Sequence, residues 1–157
     1  MSYTLRRYRA DDISQMLACI ERFFTELRKG EPNGLKRLDY APEKVYNMLI
    51  RRVNDPTYFC HVLMDGDEVV GGMSGGIMSP FYTTDRIAYD EILYLKPERT
   101  HATLVIRLVK TYLKWAKDSG AIEVRLCNST GQNFEGFSKL CNRLGMTQFE
   151  IGFMMRN

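Results

Sequence analysis

The segment Tyr89–Gly120, YDEILYLKPERTHATLVIRLVKTYLKWAKDSG, limits the folds open to this chain more than any other stretch. An apolar strand ends at Pro97, a short basic and polar turn follows, and a long amphipathic helix starts within a few residues. Leu104, Ile106, Leu108, Tyr112 and Trp115 are the apolar positions of that helix, expected over Thr103–Ser119, and Gly120 is placed to stop it. A helix N-terminus directly after a strand points backbone N–H groups outward, which suits a pyrophosphate. The turn that would do this carries no glycine.

The other elements follow from periodicity and punctuation. Tyr3–Tyr8 alternates as a strand, and Ala10–Lys29 carries Ile13, Met16, Leu17, Ile20, Phe23, Phe24 and Leu27 on one helical face. Asp11 or Asp12 caps its start. Gly30–Pro42 reads as a loop, with Leu35, Leu38 and Tyr40 available to pack back on the body. Pro42 begins a second helix striped by Val45, Met48, Leu49 and Val53. Thr57–Met64 and Glu68–Met78 are strands joined by the hairpin signal Asp65-Gly66-Asp67. The glycine pairs Gly71-Gly72 and Gly75-Gly76 inside the second of these predict a bulge or a close backbone approach. Ile87–Leu95 and Ile122–Cys127 are strands, Asn133–Leu144 is a helix closed by Gly145, and Thr147–Met155 is a last strand.

The expected order is β-α-α-β-β-β-α-β-α-β. Short turns between the middle strands predict antiparallel pairing. The strand–helix–strand unit from Ile87 to Cys127 predicts a parallel, right-handed crossover. The fold class is therefore α/β in the broad sense (an α+β mixed sheet), with helices on both faces.

At 157 residues, the chain is expected to form a single domain spanning 1–157. With 45% hydrophobic and 26% charged residues it is globular rather than disordered. The net charge of +3 is mild and shows no basic stripe, so no nucleic-acid partner is expected. No apolar run reaches the roughly 20 residues of a membrane span, and the start MSYTLRRYRADD lacks a secretory apolar region. Cys19, Cys60, Cys127 and Cys141 are scattered, and only His61 and His101 could join them as nitrogen ligands, so no metal is expected. Reduced thiols in a cytoplasmic protein are the expectation.

Three stretches together resemble the GNAT-type acyl-CoA N-acyltransferase superfamily. Gly71-Gly72, Ser79-Pro80-Phe81-Tyr82, Arg86-Ile87-Ala88 and Leu95-Lys96-Pro97 are similar to the third and fourth strands of small bacterial and phage-encoded members. Arg107-Leu108-Val109-Lys110 and Trp115–Ala121 resemble the helix after the cofactor loop, and Lys139–Met146 resembles the last helix with its terminal Gly-Phe. The family's loop reads Arg/Gln-x-x-Gly-x-Gly/Ala. Counted from Arg99, its glycine places hold Ala102 and Leu104; counted back from Arg107-Leu108, Thr100 and Thr103 fill the arginine and first-glycine places. The family's last-helix tyrosine is replaced by Cys141.

The resemblance implies acetyl-CoA, or another acyl-CoA, as co-substrate and an amine-bearing acceptor, a small molecule or a protein. It also implies direct transfer in a ternary complex. The strand edge Leu93, Tyr94, Leu95 and Lys96 would offer backbone hydrogen bonds to the pantetheine arm. Arg99, Thr100, His101, Ala102, Thr103 and Leu104 would form the pyrophosphate turn, with Lys96 and Arg99 supplying positive charge. Asp90 or Glu91 would be the base, directly or through water, and alternation turns only one of them to the cleft. Cys141 would protonate the leaving thiolate or simply pack on its helix. Asn133 either touches the pantetheine or caps the last helix, and Phe137 either borders the cofactor arm or packs in the core. Tyr40, Phe81, Tyr82 and Tyr89 would build an aromatic wall for the acceptor, or pack as ordinary apolar groups. The Gly-rich third strand and the last strand offer edges for a homodimer. The alternative function is a catalytically weakened protein of this fold acting as a binding or assembly module.

Overall fold

Five strand segments and four segments with 3.6-residue periodicity build a mixed sheet flanked by helices. The computed structural model describes residues 3–29, 39–128 and 133–149. The order is β1 (Tyr3–Arg7), α1 (Ile13–Lys29), α2 (Pro42–Arg52), β2 (Tyr58–Asp65), β3 (Glu68–Met78), β4 (Ile87–Leu95), α3 (Ala102–Asp118), β5 (Glu123–Val124) and α4 (Phe134–Arg143). Sheet order follows chain order, β1 to β5. β1 to β4 pair antiparallel and β4 pairs β5 in parallel through α3. The expected mixed sheet with helices on both faces is the observed one. The expected strand over Thr147–Met155 lies mostly outside the described residues, as do Leu35 and Leu38.

Each face of the sheet is covered by different helices. On one, Leu104, Leu108, Tyr112 and Ala116 recur every fourth residue of α3 and bury against Phe59, Leu63, Val70, Met73, Ala88 and Leu95. On the other, α1 and α2 bring Ile13, Cys19 and Leu49 onto Cys60, Val62, Met64 and Val69. Covered on both faces, β2 is buried along most of its length. Gly120, with φ +75°, ends α3 in the left-handed region that glycine enters without strain.

α2 is fixed at its C-terminal end by a residue four dozen positions earlier. The Arg7 guanidinium donates to the carbonyls of Arg52 at 2.9 Å, Val53 at 3.0 Å, Asp55 at 2.6 Å and Tyr58 at 2.9 Å. It satisfies orphan carbonyls at the helix end and places a positive charge where the helix dipole is negative. Among the described residues no helix is long and apolar enough to cross a membrane.

Candidate functional site

The site is built where β4 leaves β5. Their ladder holds only Ile87–Glu123 and Ala88–Val124, extended by Arg125 N–H donating to the Ala88 carbonyl at 2.8 Å. Past that point the Asp90 carboxylate, not a backbone carbonyl, accepts the Cys127 N–H at 2.8 Å. A side chain thus stands between the two backbones and parts them. This is why the strand expected over Ile122–Cys127 pairs over Glu123–Val124 alone. Tyr112 of α3 reaches the same point, its hydroxyl 3.4 Å from the Arg125 carbonyl.

On its other side β4 carries a bulge. Ser74 pairs with Ile92 and Gly75 with Asp90, so Glu91 is the extra residue. Gly75 fits here because a Cβ would stand 2.4 Å from the Tyr89 carbonyl oxygen and 2.9 Å from Tyr112 Cε2. The glycine pair predicted a bulge or close approach, and both occur.

Asp90 and Glu91 point to opposite faces. Asp90 lies on the α3 side beside Tyr112, Cys127 and Cys141, where burial raises its carboxyl to about 6 against the opposing pull of the Cys127 hydrogen bonds. Burial and the nearby Asp90 charge push the Cys141 thiol on α4 upward, so it keeps its proton at neutral pH. Glu91 lies on the α1–α2 side. Its Oε2 accepts from Arg52 Nη1 at 2.6 Å and from the Ser74 hydroxyl at 3.1 Å. Arg52 also sits over the Tyr58 ring, 3.9 Å from its centroid. Nothing in sequence spacing marks Arg52 or Ser74, because both reach Glu91 only through the folded sheet.

Beside Ser74 the α1–α2 side holds a cavity of about 60 Å³. Met16, Ile20, Met48 and Ile92 wall it, and Gly71 and Gly72 contribute bare backbone. Past the bulge Leu93 and Leu95 pack toward α3, while Tyr94 faces the cavity and donates to Glu26 Oε2 at 3.2 Å.

The turn after β4 differs from the expectation in two ways. Pro97–Arg99 forms a 3-10 turn and α3 already begins at Ala102, so Leu104 is a core residue of its first turn rather than part of a loop. His101 is the N-cap without a capping side-chain bond, and Ala102 and Thr103 are exposed behind it. Thr100 bonds back to the Lys96 carbonyl at 3.1 Å. Secondly, the cations expected for phosphates carry acidic partners. Lys96 pairs with Glu68 at 2.5 Å and Arg99 with Asp65 at 3.2 Å, both carboxylates from the β2–β3 hairpin. Arg22 of α1 holds Glu98 of the turn at 2.7 Å and depresses its carboxyl to about 2.

The remaining expected residues scatter. Asn133 caps α4, its side-chain oxygen accepting Gly136 N–H at 3.3 Å, in the left-handed conformation with φ +46°. Phe137 is half-buried one turn before Cys141. Tyr40 stacks on Phe24 at 5.5 Å and donates toward the Leu17 carbonyl at 3.4 Å, so it packs on α1. Tyr89 stands under Gly76 on β4. Phe81 and Tyr82 meet edge to face on the β3–β4 turn, 100% and 72% exposed. The four aromatic residues stand on three separate parts of the fold.

No family model and no curated protein matches the chain. Solved structures do match, over nearly their whole length. A predicted acetyltransferase with acetyl-CoA from Clostridium acetobutylicum superposes at TM-score 0.74 and 13% identity, covering 99% of this chain and 96% of that one. Glucosamine-6-phosphate N-acetyltransferase from Arabidopsis thaliana gives 0.67 and 16%, covering 99% of each. A transcriptional regulator from Bacillus halodurans gives 0.74 and 19%, covering 99% of this chain and 100% of that one. The chain has the GNAT-type acyltransferase fold.

Proposed function

We propose that this protein is an N-acyltransferase that moves an acetyl group from acetyl-CoA to a primary amine by direct attack in a ternary complex. The observation that carries this reading is the parting of β4 from β5 at Asp90. It leaves the β4 edge from Asp90 to Leu95 leading straight to the exposed first turn of α3. The pantetheine arm would lie along that edge on backbone groups of Leu93–Lys96. The pyrophosphate would meet the N–H groups of Ala102 and Thr103, with Lys96 and Arg99 alongside. Ala102 and Thr103 are small enough for close approach without glycine. When bound, the thioester supplies an activated acyl group.

The chain's own residues divide the remaining work by face. Glu91 faces the cavity side, where an amine can enter, and is the base that takes the ammonium proton, directly or through water. Asp90 is a positioning residue that keeps the strands apart. Cys141, still protonated, stands on Asp90's side and donates to the departing thiolate. The Clostridium structure with acetyl-CoA and the amino-sugar acceptor named for the Arabidopsis enzyme support the choice of substrates.

The test is CoA release over a panel of amines. Glu91→Gln is expected to lower kcat by about 10²–10³-fold while acetyl-CoA still binds. An unchanged kcat in Glu91→Gln would remove it from the base role.

A second reading, a partner-binding protein of this fold without turnover, is favoured by the ion pairs on Lys96 and Arg99. Those pairs must open, or share their cations, before phosphates gain from them. Absence of acetyl-CoA binding would decide for this reading.

A further inference from the structure

The acyltransferase reading leaves the acceptor unnamed, and the α1–α2 side of β4 carries chemistry specific enough to name its class. Arg52 and Glu91 form an ion pair that is mostly shielded from water, their side chains 13% and 25% exposed. Shielding two charges is costly unless their hydrogen-bonding capacity is used. Here it is used in part. Both bonds to Glu91 fall on Oε2, from Arg52 and Ser74. Among the described residues Arg52 donates through Nη1 alone, leaving Nε and Nη2 of its planar fork. A guanidinium with two such donors matches a carboxylate bidentately, and the second oxygen of Glu91 matches an ammonium. The same Ser74 lines the apolar cavity together with Met16, Ile20, Met48 and Ile92. Its volume of about 60 Å³ is several times the ~10–15 Å³ that one buried water needs. It therefore takes a few methyl or methylene groups, and its two methionine walls can adjust around a larger side chain.

We infer that the acceptor is an apolar α-amino acid. Its carboxylate lies on Arg52, its ammonium on Glu91 and Ser74, and its side chain in the cavity walled by Met16, Ile20, Met48 and Ile92. This rests on the acyltransferase reading for its catalytic meaning, and on the cavity and ion pair alone for binding. The arrangement selects against two other amine classes. A polyamine or an aminoglycoside brings several cations and no carboxylate, so it meets the guanidinium unfavourably. An acidic amino acid would place its second carboxylate among methionine and isoleucine side chains. Arg52 is held for this role from behind, since Arg7 bonds the carbonyls of Arg52 and Val53. The same placement brings the amino group to the carboxylate proposed as base. Arg52 Nη1 stays on Glu91 Oε2 while Nε and Nη2 take the substrate carboxylate, and the second Glu91 oxygen takes the ammonium.

Calorimetry with L-leucine, its decarboxylated counterpart isoamylamine, and spermidine tests the inference, on the protein alone and with CoA present. Leucine is expected to bind at least tenfold more tightly than either amine. Arg52→Lys keeps the charge but not the fork, and should cost leucine tenfold or more while leaving isoamylamine within twofold. Met48→Phe narrows the cavity without touching the ion pair; it should weaken leucine and leave glycine unchanged. Isoamylamine or spermidine binding as tightly as leucine would overturn the inference, as would an Arg52→Lys protein that binds leucine like the native one. Failure of the two readings is distinguishable. Acetyl-CoA binding with acetylation confined to amines lacking a carboxylate refutes the acceptor class alone. Leucine binding without acetyl-CoA binding keeps this site and refutes the acyltransferase.

Discussion

The two faces of β4 present adjacent carboxylates to different surroundings. On the α3 side Asp90 is wedged among Tyr112, Cys127 and Cys141, against the aromatic stack of Phe59, Tyr112 and Trp115. On the α1–α2 side Glu91 meets Arg52 and Ser74, and Ser74 in turn lines a cavity. One carboxylate is enclosed and bonded to a backbone amide; the other is ion-paired and a quarter exposed. The enclosed group shapes the backbone and the ion-paired group can reach a substrate. Residue type alone would not separate these roles, because Asp and Glu carry the same chemistry. The bulge at Glu91 and the amide of Cys127 separate them.

The largest break in this contrast should come from Gly75→Val. Its Cβ would fall 2.4 Å from the Tyr89 carbonyl oxygen and 2.9 Å from the Tyr112 ring, both part of the framework that orients β4. Overpacking of this kind costs about 1–3 kcal/mol, and more where backbone is the obstacle. Urea denaturation should show at least about 3 kcal/mol lost. A loss below about 1 kcal/mol would mean that the bulge is soft.

Asp90→Asn sharpens the contrast through pH. Folding raises this carboxyl from its ordinary 3.8 to about 6, so between those values the folded protein binds a proton that the unfolded chain has released. The contribution of Asp90 therefore becomes less favourable as pH rises from about 4 to 6, and is constant above. Asparagine keeps an oxygen for the Cys127 amide and has no proton to lose. The variant should gain up to about 3 kcal/mol relative to the native protein at pH 8, and that gain should vanish near pH 4. Equal pH slopes for the two proteins in denaturant titrations would show that Asp90 is not the enclosed group described here.

The double change Asp65→Asn with Glu68→Gln removes the two hairpin carboxylates that pair with Lys96 and Arg99. Acetyl-CoA affinity should rise severalfold, most clearly at low salt, where exposed charges act furthest. Unchanged affinity would place the phosphates away from these cations. Smallest of all, Cys141→Ala should lower kcat by less than about tenfold, since a thiol is a weak donor and a thiolate leaves readily. A hundredfold loss would give Cys141 a larger part than the one proposed.

Periodic features were legible in the sequence and contacts across the fold were not. The recurrence of Leu104, Leu108 and Tyr112 reports α3 and its buried face directly, and Asn133 reads as a cap because capping is local. Leu104 was expected both on the apolar face of the helix and at the end of the pyrophosphate turn; α3 begins at Ala102, one residue before the expected Thr103, and Leu104 is core. The short β5 was not legible, since it depends on Asp90 reaching across to Cys127, 37 positions on. Arg52 reaches Glu91 across 39 positions and Arg7 reaches Val53 across 46, so neither leaves a trace in local spacing. The pairing of Lys96 and Arg99 with hairpin carboxylates was hidden for the same reason.

The most direct test is a calorimetric titration of the native protein with acetyl-CoA. Saturable one-to-one binding in the micromolar range is the predicted result, since the parted strands and the first turn of α3 offer backbone groups to the pantetheine and pyrophosphate. No heat of binding at millimolar acetyl-CoA would contradict the account, leaving a protein of this fold that serves a partner rather than a thioester.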